Sequence, residues 1–288
     1  MRIYLDCWPC FLRQALSGTR RTGAGPEEQR QVLLGTMAIL ESMPREATPP
    51  EMAERIHRLV RELTGHVDPY VEAKREATRS ALTLRPKLSA MVEGADDRLE
   101  TAVRVAIAGN IIDHGVAESY DLASTLERVL AQPFAISGLD ELRLALAEAS
   151  WVLYLADNAG ETVFDRLLIE ALGRPVVYVV KGGPALNDAT REDALEAGLH
   201  EVAEIVDTGA CAVGTPLPLC SAEFRRRFEE APLIIAKGQA NYETLSSVEA
   251  PVFFLLQIKC EVIGQDLGVG KGEIVLVPPG RGERRKVG

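Results

Sequence analysis

An apolar stretch, WVLYLA, is followed at once by two polar residues, Asp157 and Asn158. Ala159 and Gly160 come next, and the segment that begins near Glu161 has the apolar spacing of a helix. A glycine here would let the chain turn tightly from strand to helix, with the free N–H groups of the helix facing the strand end. We expect this corner to hold a hard cation and an anion together.

A second polar pair follows the next apolar run, PVVYVV. The loop KGGPALNDAT contains two glycines and a proline, then Asn187 and Asp188 before another helical segment. The oxygens of Asp157, Asn158 and Asp188, facing one point, would suit Mg²⁺, Mn²⁺ or a similar ion that keeps water or substrate oxygens in its other positions. The alternative is that Asp188 only caps the next helix.

Three lysines stand where other apolar runs end: Lys181, Lys237 and Lys259. In open parallel sheets, ligands bind at the carboxyl ends of the strands, so these lysines and Asp157 are expected at one edge. Beside a divalent cation, lysines can neutralise a phosphoryl group as charge builds in the transition state. The alternative for any single position is a polar residue that ends a strand in solvent.

The elements that would position these residues change character near residue 149. Residues 1–148 contain segments with apolar residues at helical spacing, two of them preceded by the capping residues Thr48 and Asp68. Residues 149–288 alternate short β-rich runs with helical segments, which is typical of a parallel sheet covered on both faces. We predict a helical N-terminal region and a three-layer α/β/α, Rossmann-like domain that binds the metal and the phosphate.

Composition and charge exclude several classes of partner. The net charge of −10, with no basic arm to offset it, argues against a nucleic-acid binder. No apolar run approaches the ~18 residues of a membrane span, and the N-terminus lacks the pattern of a secretory signal. We expect a cytoplasmic enzyme acting on a small molecule; the sequence leaves its oligomeric state open.

Several familiar motifs are absent. There is no G-x-x-x-x-G-K-[ST] loop, DNAGE is a poor dinucleotide fingerprint, and the four histidines lack metal-ligand spacing. A nucleotide-cofactor transferase would need a glycine-rich phosphate loop and an acidic residue after the second strand, where Lys181 stands. A non-catalytic metal or sugar-phosphate binder stays an alternative that a turnover assay would distinguish.

Cys7 and Cys10 form a C-x-x-C near the N-terminus of a chain with five cysteines. A structural zinc site needs four ligands, and no second C-x-x-C completes one. A structural role at a helix start, with Pro9 in the first turn, is one interpretation. A disulfide and a metal or redox role are the others.

Five motifs in order resemble those of the damage-control phosphatases, formerly domain of unknown function 89. They are AIAGNIID, DNAGETVFD, KGGPALNDAT, AKGQANYETL and LLQIKCEVIGQDLG. The start, LDCWPCFLRQAL, is similar to a prokaryotic branch with an N-terminal cysteine pair. The resemblance covers essentially the whole chain. It implies a helical region on an α/β/α core, and a metal-dependent phosphatase acting on small phosphorylated metabolites, including sugar phosphates.

The resemblance also implies roles for particular residues. Asp157, Asn158 and Asp188 would bind a divalent ion such as Mg²⁺, Mn²⁺, Co²⁺ or Ni²⁺, and Lys237 would hold the phosphate beside the catalytic Asp157 and Asn158. The further candidates for substrate binding are Asn110, Asp113, Glu161 and Lys259. Asp165 matches a motif position without an assigned role, and its alternative is a solvated helix face. Direct attack by water and an aspartyl-phosphate intermediate both stay open.

Overall fold

The N-terminal part of the protein is helical, as predicted. The computed structural model describes residues 1, 3–44, 47–112 and 122–281. Its N-terminal helices are α1 (Cys7–Arg21), α2 (Pro26–Glu41), α3 (Pro49–Thr64), α4 (Val71–Glu93), α5 (Arg98–Ile112) and α6 (Leu122–Ala131). Thr48 caps α3 as expected, because its side chain accepts the amide of Glu51 at 3.4 Å. Asp68 does not cap α4 directly; it accepts the amide of Tyr70, the residue before that helix.

A seven-stranded sheet and further helices occupy the described part of the chain after residue 133. The strands are β1 (Phe134–Ser137), β2 (Val152–Leu155), β3 (Val176–Val180), β4 (Glu204–Asp207), β5 (Ile234–Lys237), β6 (Val252–Gln257) and β7 (Ile274–Val277). The helices are α7 (Leu139–Glu148), α8 (Thr162–Leu172), α9 (Arg191–Glu196), α10 (Ala222–Glu230), α11 (Gly238–Leu245) and α12 (Glu261–Leu267). The strand order is β1-β7-β6-β5-β2-β3-β4.

The parallel sheet predicted from the sequence is present in five consecutive strands, which run from β6 to the edge strand β4. Strands β2 to β6 pair in parallel, whereas β7 is antiparallel to β6 and carries β1 as a parallel neighbour. Neither β1 nor β7 was predicted. Because β1 precedes the boundary drawn after residue 148, the sheet takes one strand from the part of the chain that was assigned to the helical region.

Apolar side chains cover both faces of the sheet. Successive residues of β2 alternate between two core clusters, with Val152 and Tyr154 in one and Leu153 and Leu155 in the other. The first cluster also contains buried residues of α4, α5 and α8, and the second contains residues of α10, α11 and α12. The sheet is therefore the middle of three layers, as expected for strands that are buried on both faces.

The N-terminal helices do not all belong to one unit. A separate small core joins α1, α2 and α3, and it includes Phe11, Val32, Met52 and Ile56. Helices α4 and α5 pack instead on α8, over one face of the sheet. In the described residues, no helix is both long and apolar enough to cross a membrane.

The strand order reverses between β2 and β5. The chain passes from β2 outward to β3 and β4 on one side, and later places β5 on the other side of β2. Such a switch point leaves a crevice at the carboxyl ends of the two strands. Asp157 follows β2 and Lys237 ends β5, so the fold brings both sequence-predicted residues to this crevice.

Candidate functional site

Asn158 and Asp188 lie opposite each other in an isolated antiparallel bridge. Two backbone hydrogen bonds flank this pair, from the Ala159 amide to the Asn187 carbonyl at 2.9 Å and from the Ala189 amide to the Asp157 carbonyl at 2.8 Å. Because the bonds are made by the flanking residues, the two side chains belong to the closer, non-hydrogen-bonded type of pair. The cap of α9 is Thr190, so the alternative role of Asp188 as a helix cap is wrong.

The structure explains the glycine at position 160 differently from the tight turn that was expected. Its φ is not positive, so the turn after β2 does not require the conformational freedom of glycine. Instead, a Cβ at this position would lie 3.0 Å from the Cβ of Ala77 in α4. The glycine therefore allows α4 to approach the short 3₁₀ turn (Ala159–Glu161) that begins the site.

The carboxylate of Asp157 is held from two sides. Its Oδ2 accepts hydrogen bonds from Nδ2 of Asn110 at 2.8 Å and from Nδ2 of Asn158 at 3.1 Å. Burial, with Glu161 and Asp188 nearby, raises the pKa of Asp157 well above its usual value. Asn110 thus reaches the site from α5, as the resemblance implied. Asp113, the other residue of that motif, lies outside the described residues.

Glu161 is fully buried and faces the amides of the site. Its Oε1 accepts hydrogen bonds from Nδ2 of Asn110 and, at 2.5 Å, from Nδ2 of Asn158. Its Oε2 accepts a hydrogen bond from Nζ of Lys237 at 2.8 Å. Both carboxylate oxygens are therefore engaged with protein groups in this structure.

Lys237 is not exposed at the sheet edge. Its side chain is fully buried, and its Nζ pairs with Glu161 Oε2 at 2.8 Å and with Asp165 Oδ1 at 2.7 Å. Burial alone would lower the pKa of Lys237, but the two carboxylates outweigh it and raise the pKa. A lysine that merely extends into solvent is thereby excluded, whereas contact with a phosphate stays a prediction.

Asp165 is buried at the centre of the protein, so the alternative of a solvated helix face is wrong. Its Oδ1 accepts hydrogen bonds from Lys237 Nζ and the Tyr154 hydroxyl, each at 2.7 Å, and its Oδ2 accepts the Tyr178 hydroxyl at 2.7 Å. Neither tyrosine was predicted from the sequence. The available signal was a single polar-tipped residue in each of the runs WVLYLA and PVVYVV, and β2 and β3 pair these two residues directly.

The other two lysines differ in exposure. Lys181 is buried; its Nζ donates to the Gly214 carbonyl at 2.6 Å and lies 3.4 Å from Asp188 Oδ2. Burial raises the pKa of Asp188 to about 6, against the opposing effect of Lys181. Lys259 is half-buried, and its charge acts to lower the pKa of Asp157. Of the three lysines, Lys259 is therefore the most accessible to a ligand.

The donor chemistry of this cluster fits a divalent cation. The described residues contain no group of three or more His, Cys, Asp or Glu side chains arranged for a metal, so the candidate set is two carboxylates and one amide: Asp157, Asp188 and Asn158. Oδ2 of Asp188 is buried and has no close hydrogen-bond donor among the described groups, since the Lys181 ammonium lies 3.4 Å away. The buried carboxylates of Asp157, Glu161, Asp165 and Asp188 outnumber the buried ammonium groups of Lys181 and Lys237 by four to two. If all four carboxylates ionise, their charge exceeds that of the two ammonium groups by two, and a divalent ion would neutralise this excess.

The N-terminal cysteines are free thiols, as are the other cysteines of the chain. Cys7 is the first residue of α1, with Pro9 in its first turn, which fits the structural interpretation of this motif. Burial raises the pKa of both thiols, Cys7 and Cys10.

The fold and this cluster define a Rossmann-like α/β protein with a buried, oxygen-rich site at its topological switch point. The chain belongs to the damage-control phosphatase ARMT1-like domain family, whose model matches residues 3–275. The resemblance inferred from the sequence motifs is thereby confirmed.

Known relatives align with most of the chain. It is 34% identical over 282 residues to the damage-control phosphatase PH1575 of Pyrococcus horikoshii, covering 96% of this chain and 97% of the relative. It is 40% identical over 233 residues to a damage-control phosphatase of Archaeoglobus fulgidus, covering 78% of this chain and 80% of the relative. The crystal structure of the P. horikoshii protein superposes with a TM-score of 0.88 at 33% identity, covering 97% of this chain and 99% of that one. The predicted fold class is confirmed.

Proposed function

We propose that this protein is a divalent-metal-dependent phosphatase that hydrolyses phosphate monoesters of small metabolites such as sugar phosphates. The observation that carries the proposal is the switch-point cluster, in which Asp157, Asn158 and Asp188 present oxygen donors where buried carboxylates outnumber buried ammonium groups. The names of the relatives support a phosphatase acting in metabolite repair.

Asp157, Asn158 and Asp188 would hold the ion, with Mg²⁺, Mn²⁺, Co²⁺ and Ni²⁺ as the candidates. When bound, such an ion polarises a phosphoryl oxygen and neutralises charge that builds on it. The protein prepares the donors in advance, because Asn110 fixes the Asp157 carboxylate and the backbone bridge fixes Asn158 against Asp188. Little reorganisation is then required on binding.

Two lysines are suited to attract the phosphate. Lys259 is half-buried beside Asp157, and a lysine supplies a point charge with up to three donors for phosphate oxygens. Lys181 is less accessible, because its ammonium already contacts Asp188 and the Gly214 carbonyl. We therefore assign the main contact with the transferring phosphoryl group to Lys259. Lys237 supports the site through its ion pairs with Glu161 and Asp165.

A neighbouring pocket has room for the organic part of a substrate. It measures about 600 Å³ and lies between α3 and the loop after β4, with Arg55, Arg58 and Cys211 among its lining residues. This loop is bonded to the chain next to Lys181, because the Gly182 amide donates to the Ala210 carbonyl at 2.9 Å, although none of the proposed metal or phosphate ligands lines the pocket. This volume is within the range of small-molecule sites.

The test is phosphate release from a panel of phosphorylated metabolites, each with Mg²⁺, Mn²⁺, Co²⁺ or Ni²⁺. Turnover should disappear on exhaustive chelation and return with added ion. Asp157→Ala and Asp188→Ala should each abolish turnover while keeping a cooperative thermal transition, because each removes a charge from a crowded buried cluster. Full activity after chelation would refute the metal dependence. Binding of phosphometabolites without turnover would instead indicate a non-catalytic binder.

A further inference from the structure

A continuous chain of buried polar contacts runs beneath the candidate metal site. It starts at the hydroxyls of Tyr154 and Tyr178, which both donate to Asp165 at 2.7 Å. Asp165 pairs with Lys237, and Lys237 pairs with Glu161. Each of these five side chains is fully buried. The mechanism proposed above gives no task to the two tyrosines or to Asp165.

We propose that Asp165, held by Tyr154 and Tyr178, is a positioning residue that fixes Lys237 against Glu161 and thereby orients the Asn158 amide for cation binding. The inference rests on the proposed function only in assuming that Asp157, Asn158 and Asp188 bind a divalent cation. In the described residues, the side chains of Asp165, Tyr154 and Tyr178 make no hydrogen bond with those of Asp157, Asn158 or Asp188.

The orientation of the Asn158 amide is the point on which the cation would depend. Nδ2 of Asn158 donates to Glu161 Oε1 at 2.5 Å and to Asp157 Oδ2 at 3.1 Å. An amide whose nitrogen is anchored in this way leaves its oxygen on the opposite side, and only the oxygen can bind a cation. By accepting the hydrogen bond from Nδ2, Glu161 helps to keep the oxygen of the Asn158 amide free for the cation.

Glu161 keeps its place because its other oxygen is occupied. Lys237 Nζ lies 2.8 Å from Glu161 Oε2, and a carboxylate bound at both oxygens cannot rotate freely. Lys237 sits at nearly equal distances from two carboxylates, so its position depends on where Asp165 is held. That position is determined by two hydroxyl donors.

The two tyrosines form a rigid base for this arrangement. They are direct partners in the parallel pairing of β2 and β3, and their rings stack with centroids 5.4 Å apart. Aromatic rings clamped between two central strands have little freedom to follow Asp165 if it moves. Groups that orient metal ligands from outside the ligand set commonly change metal affinity when they are replaced.

The test uses Tyr154→Phe, Tyr178→Phe and the double variant, since each removes a hydroxyl without changing the charge or opening a large cavity. Mn²⁺ affinity is measured by isothermal titration calorimetry on the metal-free, full-length protein, so no turnover is required. We expect Kd to rise about tenfold in the double variant and about threefold in each single variant, by analogy with other residues that support metal ligands.

Tyr242→Phe is the matched control. Tyr242 is also buried and donates its hydroxyl to a carboxylate, Asp266, at 2.7 Å, but it belongs to the other core cluster. It should lower the melting temperature to a similar extent and leave the Mn²⁺ Kd unchanged. A role of the tyrosines in stability alone predicts that all variants keep the wild-type Kd.

The outcomes separate the two proposals. Unchanged Mn²⁺ affinity in the double variant would overturn the positioning role while leaving the phosphatase proposal intact. If the double variant does not fold, unchanged affinity in both single variants would have the same meaning. Absence of Mn²⁺ binding by the wild-type protein would overturn the metal-dependent function together with this inference.

Discussion

Gly238 lies directly against the carboxylate of Asp157, so close that a Cβ at position 238 would stand 1.9 Å from Oδ2. Gly238 also has a φ of 76°, in the left-handed region where an L side chain is strained. The residue after the last position of β5 must therefore lack a side chain for Asp157 to keep its place.

Replacing this glycine should damage the site more than the fold. Gly238→Ala is expected to push the Asp157 carboxylate aside and to weaken Mn²⁺ binding on the order of a hundredfold, measured by calorimetry. Gly173→Ala is the control, because Gly173 has a φ of 65° but a Cβ added there would meet no atom within 4 Å. Both should lose about 1–2 kcal/mol of stability from backbone strain. Equal Mn²⁺ affinities in the two variants would contradict a functional role for the close approach of Gly238 to Asp157.

Lys237 is expected to be a stability determinant as well as a functional residue. Lys237→Met leaves Glu161 and Asp165 buried without their shared cation, which should lower the free energy of unfolding by about 3–5 kcal/mol in urea titrations. Adding Asp165→Asn removes one of the orphaned charges, so the double variant should lose less than the sum of the single losses. If the stability losses of the two single variants add up in the double variant, the ion pair between Lys237 and Asp165 is contradicted. If Lys237 also contacts the phosphate, as the resemblance implies, Lys237→Ala should lower kcat on the order of a hundredfold, measured on the folded protein.

Lys259 should affect turnover without affecting stability. Because its side chain is half-buried beside Asp157, Lys259→Ala is expected to lower kcat/KM for a phosphate monoester on the order of tenfold to a hundredfold. The free energy of unfolding should change by no more than about 0.5 kcal/mol. Lys271→Ala, which removes an exposed lysine, is the control and should keep full activity. An unchanged kcat/KM for Lys259→Ala would move the phosphate contact to Lys181.

His57 should make the protein sensitive to acid. Burial lowers its pKa from 6.5 to about 4, with a smaller effect of Arg61, and its Nε2 has no partner among the described groups. Between these two values the unfolded state binds more protons, so the free energy of unfolding falls as the pH falls from about 6.5 to about 4. The loss should approach about 3 kcal/mol.

The measurement compares wild type with His57→Phe in urea titrations across this range, since the carboxylates at the site also titrate there and are common to both proteins. The difference in stability between the two proteins should change with pH. Parallel profiles would show that the protein accommodates a charged histidine at position 57.

The sequence was sufficient for the parts of the site that follow from strand ends. Asp157, Asn158 and Asp188 each come directly after or shortly after a long apolar run, and parallel pairing brings such positions to one edge whatever the details of packing. The partners of Lys237 could not be inferred in this way. Its contacts with Glu161 and Asp165 depend on how α8 lies across β5, which local spacing does not specify.

The reasons why β1 and β7 were not predicted differ. Strand β1 has four residues, of which only Ile136 is buried, so it lacks the apolar run that marked the middle strands. Its pairing with β7 is a contact between distant parts of the chain. Strand β7 differs, because its four residues, IVLV, form a buried apolar run that was overlooked in the sequence.

The position of β7 has a consequence for how the protein is made. Although β7 is the last strand along the described chain, it lies inside the sheet, between β1 and β6. During synthesis, β1 cannot pair with β7 until Ile274–Val277 has left the ribosome, whereas β2 to β6 can already assemble. The nascent chain therefore carries an unpaired edge at β6 for the remainder of translation, and any pause before residue 274 prolongs its exposure to other chains.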